Sequence, residues 1–178
     1  HLVDAHARAG LSCQDCHGGD FRNEENAKEE SSGFRGKPSA AQIPRFCGRC
    51  HSDIERMKKH NPRLPTDQEA VYKTSRHGKL LAAGRNDVAT CVSCHGAHGI
   101  RPVKDPRSPV YPLKVPGTCG KCHSQPAMVN RKGSHGDPVE LYKDSAHGRM
   151  LFENGDPTAP SCATCSSAMR SRSIPERI

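Results

Sequence analysis

Residues 91–99 read CVSCHGAHG: Cys91, two residues, Cys94, then His95 and Gly96, with a second histidine at His98. The same Cys-x-x-Cys-His string occurs at 13–17 (CQDCH), 47–51 (CGRCH) and 119–123 (CGKCH). A fifth cysteine pair, Cys162 and Cys165, is followed by Ser166 instead. In a helical turn residues i and i+3 project to the same side. Each string therefore offers two thiols along one edge, with an imidazole one residue beyond.

These strings organise the whole chain. They fall into two types, Cys-x-x-Cys-His-Gly at 13–18 and 91–96, and Cys-Gly-basic-Cys-His-Ser at 47–52 and 119–124. Around them a longer pattern recurs: 67–81 reads DQEAVYKTSRHGKLL and 137–151 reads DPVELYKDSAHGRML. The offset is 70 to 72 residues, and a weaker copy opens the chain at DAHARAGLSC, where His6 lies 71 before His77. The sequence thus divides into a first module at 1–66, a second at 67–136, and the start of a third, cut short, at 137–178. A period of this size suggests a helical solenoid when apolar residues carry it. Here cysteine and histidine carry it, so what repeats is a site.

Composition points the same way. Only 33% of the 178 residues are hydrophobic, aromatics make up 4%, and there is no Trp. Such a chain cannot bury enough apolar surface by itself to offset the entropy of ordering. Ten cysteines and eleven histidines imply that a metal, disulfides or a covalent cofactor fills the interior. The formal charge is +8, but Lys and Arg are scattered and aromatics are few, which argues against nucleic acid as a partner. No stretch approaches the ~20 apolar residues of a membrane span. The chain begins at His1 rather than Met, so the expectation is an exported protein whose secretory leader has been removed.

Cys-x-x-Cys-His is the attachment sequence of a c-type haem. Two thiols spaced by three residues can add to the two vinyl groups on one ring edge, and the following histidine binds iron from below. Zinc, the main rival, has no need of a histidine after every second cysteine. Disulfides also leave the histidines unexplained. The expected cofactor is haem c, four per chain, on Cys13 and Cys16, Cys47 and Cys50, Cys91 and Cys94, and Cys119 and Cys122. The proximal ligands are then His17, His51, His95 and His123. Four haems carry about eight propionate charges, which the basic residues would offset.

The sixth ligand decides what such a haem does, because a second axial group closes the iron and leaves electron transfer as its task. His77 and His147 head the distal candidates, each followed by a glycine that would let the helix approach a ring. His6 matches them in position. His60 and His135 lie at comparable places after the second-type motifs, and His98 either reaches a neighbouring haem or contacts a propionate. Met57 and Met128 read as packing. The supply of histidines suffices to make most irons bis-histidine, which favours low reduction potentials.

Local structure is expected to be sparse. Residues 68–83 and 137–152 each suit one helix, with Ala70, Thr74, His77 and Leu81 on a shared face. Residues 49–60 suit another, the five prolines between 102 and 116 suggest an extended connector, and no sheet is indicated.

The Tyr-Lys-x-Ser-x-His-Gly element at 72–78 followed by 91–98 resembles the doubled haem-motif modules of periplasmic and extracellular multihaem c-type cytochromes, over nearly the whole chain. The resemblance implies a mainly irregular fold with a few short α-helices and no significant sheet, wrapped around stacked haems. It implies periplasmic or extracellular electron relay between redox partner proteins such as other cytochromes, a quinol dehydrogenase or a terminal reductase, sometimes as a homo-oligomer or filament. The same group holds multihaem oxidoreductases with one open haem acting on a small nitrogen or sulfur compound, so an enzyme remains the alternative, although no Cys-x-x-Cys-Lys occurs here. A scaffolding subunit of a membrane quinol-oxidising complex is a third class.

The tail leaves three readings open. Ser166 stands at the motif histidine's place and Met169 where His98 would fall. The segment is a module that stops short, a fifth haem site on Cys162 and Cys165 with another axial ligand, or a thiol pair or disulfide.

Overall fold

A computed structural model of the chain describes residues 3–165. His1, Ser166 and Met169, as well as the side chain of Cys165, lie outside the described part. Short helices joined by turns make up the fold, and no strand occurs among the described residues. The chain divides into two units, His1–Ile100 and Arg101–Ile178. This division reports where the chain packs, whereas the modules at 1–66, 67–136 and 137–178 report where the sequence pattern restarts.

The first unit contains α1 (Ala5–Arg8), α2 (Cys13–His17), α3 (Ile43–His51), α4 (Ile54–His60), α5 (Gln68–Thr74), α6 (Arg76–Ala82) and α7 (Cys91–His95). Within it α3 packs on α4, α5 and α7, and α5 packs on α6. The second unit contains α8 (Val115–His123), α9 (Pro126–Val129), α10 (Pro138–Lys143), α11 (Ala146–Phe152) and α12 (Cys162–Cys165). There α8 packs on α9, α10 and α12, and α10 packs on α11. Each unit therefore repeats one arrangement, in which a second-type motif helix receives both the next helix pair and the next cysteine motif.

The two motif types fold differently. First-type helices begin at their first cysteine, and the third motif residue closes the helix start. Asp15 Oδ2 accepts from the Ser12 N–H at 2.7 Å and Ser93 Oγ from the Thr90 N–H at 3.0 Å, the reciprocal half of a capping box. Second-type helices begin earlier, after a 3₁₀ turn and with a proline in the first turn, Pro44 or Pro116. Their Cys-Gly-basic-Cys glycine marks a helix crossing. A β-carbon at Gly48 would run into the Glu69 carboxylate of α5, and one at Gly120 would lie 2.9 Å from Val139 Cγ2 of α10.

The structure breaks each expected long helix in two. At Ser75 the backbone turns extended (ψ 162°), so 68–83 becomes α5 and α6, and Ser145 (ψ 162°) divides 137–152 in the same way. The serine side chain is the cause. Ser75 Oγ donates to the Tyr72 carbonyl at 2.6 Å and accepts from the Gly78 N–H at 3.0 Å, so it ends one helix and caps the next. Ser145 does the same between Tyr142 and Gly148. The glycine of the His-Gly pair then faces the preceding helix. A β-carbon at Gly78 would fall 2.8 Å from the Lys73 Cα and closer still to the Tyr72 carbonyl. Its smallness thus serves the α5–α6 crossing, not the approach to a ring, and the proposed face through Ala70, Thr74, His77 and Leu81 does not exist as one helical stripe.

A Gly78→Ala variant should lose about 1–3 kcal/mol, the cost of overpacking against backbone that cannot yield. The check is a lower denaturation midpoint at unchanged cofactor content.

Two further expectations are corrected. Residues 49–60 belong to α3 and α4, broken at Ser52, where Ser52 N–H returns to Gly48 O at 2.8 Å. Residues 102–111 form successive turns instead of an extended connector. Asp105 organises them, pairing with Arg101 at 3.1 Å and Arg107 at 3.0 Å while its carboxyl is held well below the usual range by those bonds.

The apolar interior is small. Among the described residues the buried hydrophobic side chains are Met57, Leu81, Val110, Val115, Val139, Leu151 and Ala159. Leu81 and Leu151 hold equivalent places in α6 and α11.

Candidate functional site

Histidines meet in twos. The His17 and His98 rings lie 6.1 Å apart between centroids, and the His6 and His51 rings 5.8 Å. Two imidazoles on opposite faces of one metal ion, with metal–nitrogen distances of about 2 Å, place their ring centres roughly 6 Å apart. Among the described residues no group of three or more His, Cys, Asp or Glu could hold a metal ion. The donors brought together are paired imidazoles, with His17 and His51 each directly following a cysteine pair in sequence, a set that suits a c-type haem.

Each pair is set from behind. His17 Nδ1 lies 2.9 Å from the Gly36 carbonyl, so Nδ1–H donates there and Nε2 is left as the ligand nitrogen. The 33–36 segment reaches this position because Arg35 N–H donates to the His17 carbonyl at 2.7 Å. His6 Nδ1 lies 3.4 Å from Asp4 Oδ1. Asp4 also caps α1 through the His6 N–H at 2.8 Å and accepts from the Ile100 N–H at 3.0 Å. That carboxylate ties the His6 helix to the segment just past α7. Burial alone would raise the Asp4 pKa, but the backbone donors of His6, Ile100 and Ala7 overcome it and hold the carboxyl below its ordinary value.

The depressed value sets the sign of its pH effect. The stabilisation is present above the unfolded pKa of about 4 and is lost as pH falls through the lower folded value. An Asp4→Asn variant should lose this acid-side dependence and hold His6 less firmly. Absorption of the protein titrated from pH 6 to pH 2 measures both.

Burial acts on the motif histidines as well. It pushes His51 and His95 below the ordinary imidazole value, with His6 and His95 adding to the effect at His51. Neutral imidazole is the form that binds a metal.

A family model described as Cytochrome c3 matches residues 5–124, a span that holds all four Cys-x-x-Cys-His strings. The chain belongs to the cytochrome c3 family. It is a multihaem c-type cytochrome, an electron-transfer protein that binds haem c. Searches of curated proteins and of solved structures found no match. No helix among the described residues is long and apolar enough to cross a membrane.

In this cytochrome cysteines of successive motifs meet across helices. As free thiols, Cys47 of α3 and Cys91 of α7 share a hydrogen bond that raises the first's pKa and lowers the second's. Cys119 of α8 donates to Cys162 of α12 and lowers it to about 7. Cys16 is raised, by burial first and then by Cys50 nearby. Cys13 and Cys122 are exposed, Cys50 and Cys94 half-buried, and no disulfide links the described cysteines.

Among the remaining candidates His60, His135 and His147 are exposed, and His77 and His123 are half-buried. His6, though it precedes the first motif in sequence, faces the histidine of the second. Sequence reading did not single out Asp4, Gly36 or Phe46, whose ring lies 5.5 Å from that of His17. A backbone carbonyl leaves no trace in a residue pattern, and Asp4 bears on His6 only because α1 folds.

Beside Phe46 opens a cleft of about 490 Å³ lined by Arg35, Arg45 and Arg49. The Arg49 guanidinium lies 4.5 Å over the Phe46 ring, and both Arg35 and Arg49 donate to the Cys16 carbonyl, at 3.2 and 2.8 Å. In the second unit a cleft of about 550 Å³ borders the matching face of α8, with Lys114 and Lys121.

Proposed function

We propose that this cytochrome is an exported, periplasmic or extracellular electron carrier holding four haem c groups whose irons are mostly bis-histidine. The pairing of His17 with His98 and of His6 with His51 is the observation that carries the reading. The haem supplies an iron that cycles between ferric and ferrous, and the protein's part is to attach, ligate and shield it.

Cys13 and Cys16, Cys47 and Cys50, Cys91 and Cys94, and Cys119 and Cys122 would form the thioethers. His17, His51, His95 and His123 would be the proximal ligands. His98 would then be distal to the first haem and His6 to the second, while His77, His147, His60 and His135 remain distal candidates for the others. Two imidazoles leave no vacant position for a substrate and favour low potentials, so relay suits these irons better than catalysis. The arginines around Phe46 suit propionate or another carboxylate, which a guanidinium binds bidentately. The three sequence modules, 1–66, 67–136 and 137–178, would be successive haem-bearing repeats. Partners would be redox proteins, among them other cytochromes, a quinol dehydrogenase, a terminal reductase or further copies of the chain.

The test mixes reduced protein with an oxidised small cytochrome in one experiment and with nitrite, hydroxylamine or sulfite in another. Rapid oxidation by the cytochrome without turnover of the small molecules is expected. Steady turnover of any of the three would favour an oxidoreductase instead.

A further inference from the structure

Two cations converge on the first motif from outside it. Arg49 Nη2 donates to the Cys16 carbonyl at 2.8 Å, and Arg35 Nη1 donates to the same oxygen at 3.2 Å. Arg49 belongs to the second motif, CGRCH, where it lies between Cys47 and Cys50. It is held in two further ways. Its Nε–H donates to the Phe46 carbonyl at 3.4 Å, and its guanidinium lies 4.5 Å over the Phe46 ring, whose centre is 5.5 Å from that of His17. Arg49 is half-buried and Arg35 exposed. Among the described residues no carboxylate forms an ion pair with either guanidinium.

The chemistry of haem decides what these charges meet. Its two vinyl groups lie on one edge of the ring and its two propionates on the opposite edge. Thioethers at Cys13 and Cys16 put the vinyl edge of the first haem beside the Cys16 backbone, so its own propionates face away from both arginines. Arg49, between Cys47 and Cys50, stands at the vinyl edge of the second haem in the same way. A carboxylate drawn to this cleft would have to come from another haem or another molecule. We infer that Arg49, aided by Arg35, raises the reduction potential of the first haem through its charge. The inference rests on the haem reading of residues 13–17 and on the pairing of His17 with His98. Reduction adds one electron to the haem, and a nearby positive charge favours that state, more so where water is excluded. Arg49 should therefore act more strongly than Arg35, whose exposed charge is screened by solvent and salt. The Gly36 carbonyl works in the opposite direction, because accepting from His17 Nδ1–H makes the imidazole a stronger donor to ferric iron. Substitution of the arginines separates the two influences.

Potentiometric titration of the holoprotein carrying His98→Ala reads the first haem separately, because that haem alone should turn high-spin. In this background Arg49→Gln, which keeps a side-chain donor for the Cys16 carbonyl but not the charge, should lower the midpoint of the high-spin haem. Arg49→Lys keeps the charge and should leave the midpoint near its starting value. Arg35→Gln should lower it by less, and added salt should shrink that smaller shift. A midpoint unmoved in Arg49→Gln overturns the inference, since the charge would then be neutralised. An equal fall in Arg49→Lys also overturns it, since Arg49 would then act by its shape. Either result, with the high-spin haem still present, leaves the proposed function intact. If His98→Ala marks no haem, the axial pairing falls and takes the inference with it. Should the Arg49 variants lose haem, Arg35→Gln carries the test by the sign of its shift: a fall supports the inference, and an absent or upward shift overturns it.

Discussion

The reduced His98→Ala variant is expected to bind about one more equivalent of carbon monoxide per chain than the unaltered protein. His98 sits on the turn after α7, exposed to solvent, and its ring stands 6.1 Å from that of His17. Its removal would take away the axial donor proposed for the first haem without disturbing a buried side chain, so the fold should survive. One iron then has a vacant sixth position open to a small neutral ligand. Its reduction potential should also rise, because the imidazole proposed to stabilise the ferric state would be gone. The His6→Ala variant should act in the same way on the haem of His51, and the double variant should add the two effects. Carbon monoxide uptake unchanged in both single variants would mean that the two ring pairs are not axial pairs.

The second large effect concerns the whole fold. Chain produced without haem attachment should lack stable tertiary structure, with weak far-ultraviolet helical signal and no cooperative melting. The described interior holds only a handful of buried apolar side chains, among which Leu151 alone is wholly shielded and large. Fixing each residue's backbone costs about 1–2 kcal/mol, and so small a core cannot offset that for a chain of this length. Helices of four to nine residues are also too short to persist alone. A haem-free chain that melted cooperatively near the holoprotein's temperature would refute the idea that the cofactors supply the core.

Much of this was legible in the sequence because the motif residues carry their own chemistry. Cys91, Cys94 and His95 specify an attachment site by spacing alone, and the resemblance carried by the motifs implies the short helices without a sheet. The longer helices were misjudged at Ser75 and Ser145. Hydrophobic periodicity runs through both positions, but a serine that bonds backward to a carbonyl and forward to an amide stops one helix and starts another. The glycines after His77 and His147 suggest a close approach to a ring, but at Gly78 and Gly148 the preceding helix occupies the space a side chain would need. The run of prolines near 102–116 hid a turn network centred on Asp105, since ion pairs with Arg101 and Arg107 depend on folding. The partner of His17 was out of reach for a related reason: His98 is distant in sequence, and only the packing of the first unit brings the two rings together.

Near-infrared magnetic circular dichroism of the ferric protein at low temperature tests the central claim most directly, because its charge-transfer bands distinguish bis-imidazole from other axial sets. The account predicts a bis-imidazole signal that includes the haems of His17 and His51. One haem's share should be lost in His98→Ala and another in His6→Ala. Absence of any bis-imidazole band, or a band indifferent to both substitutions, would contradict it.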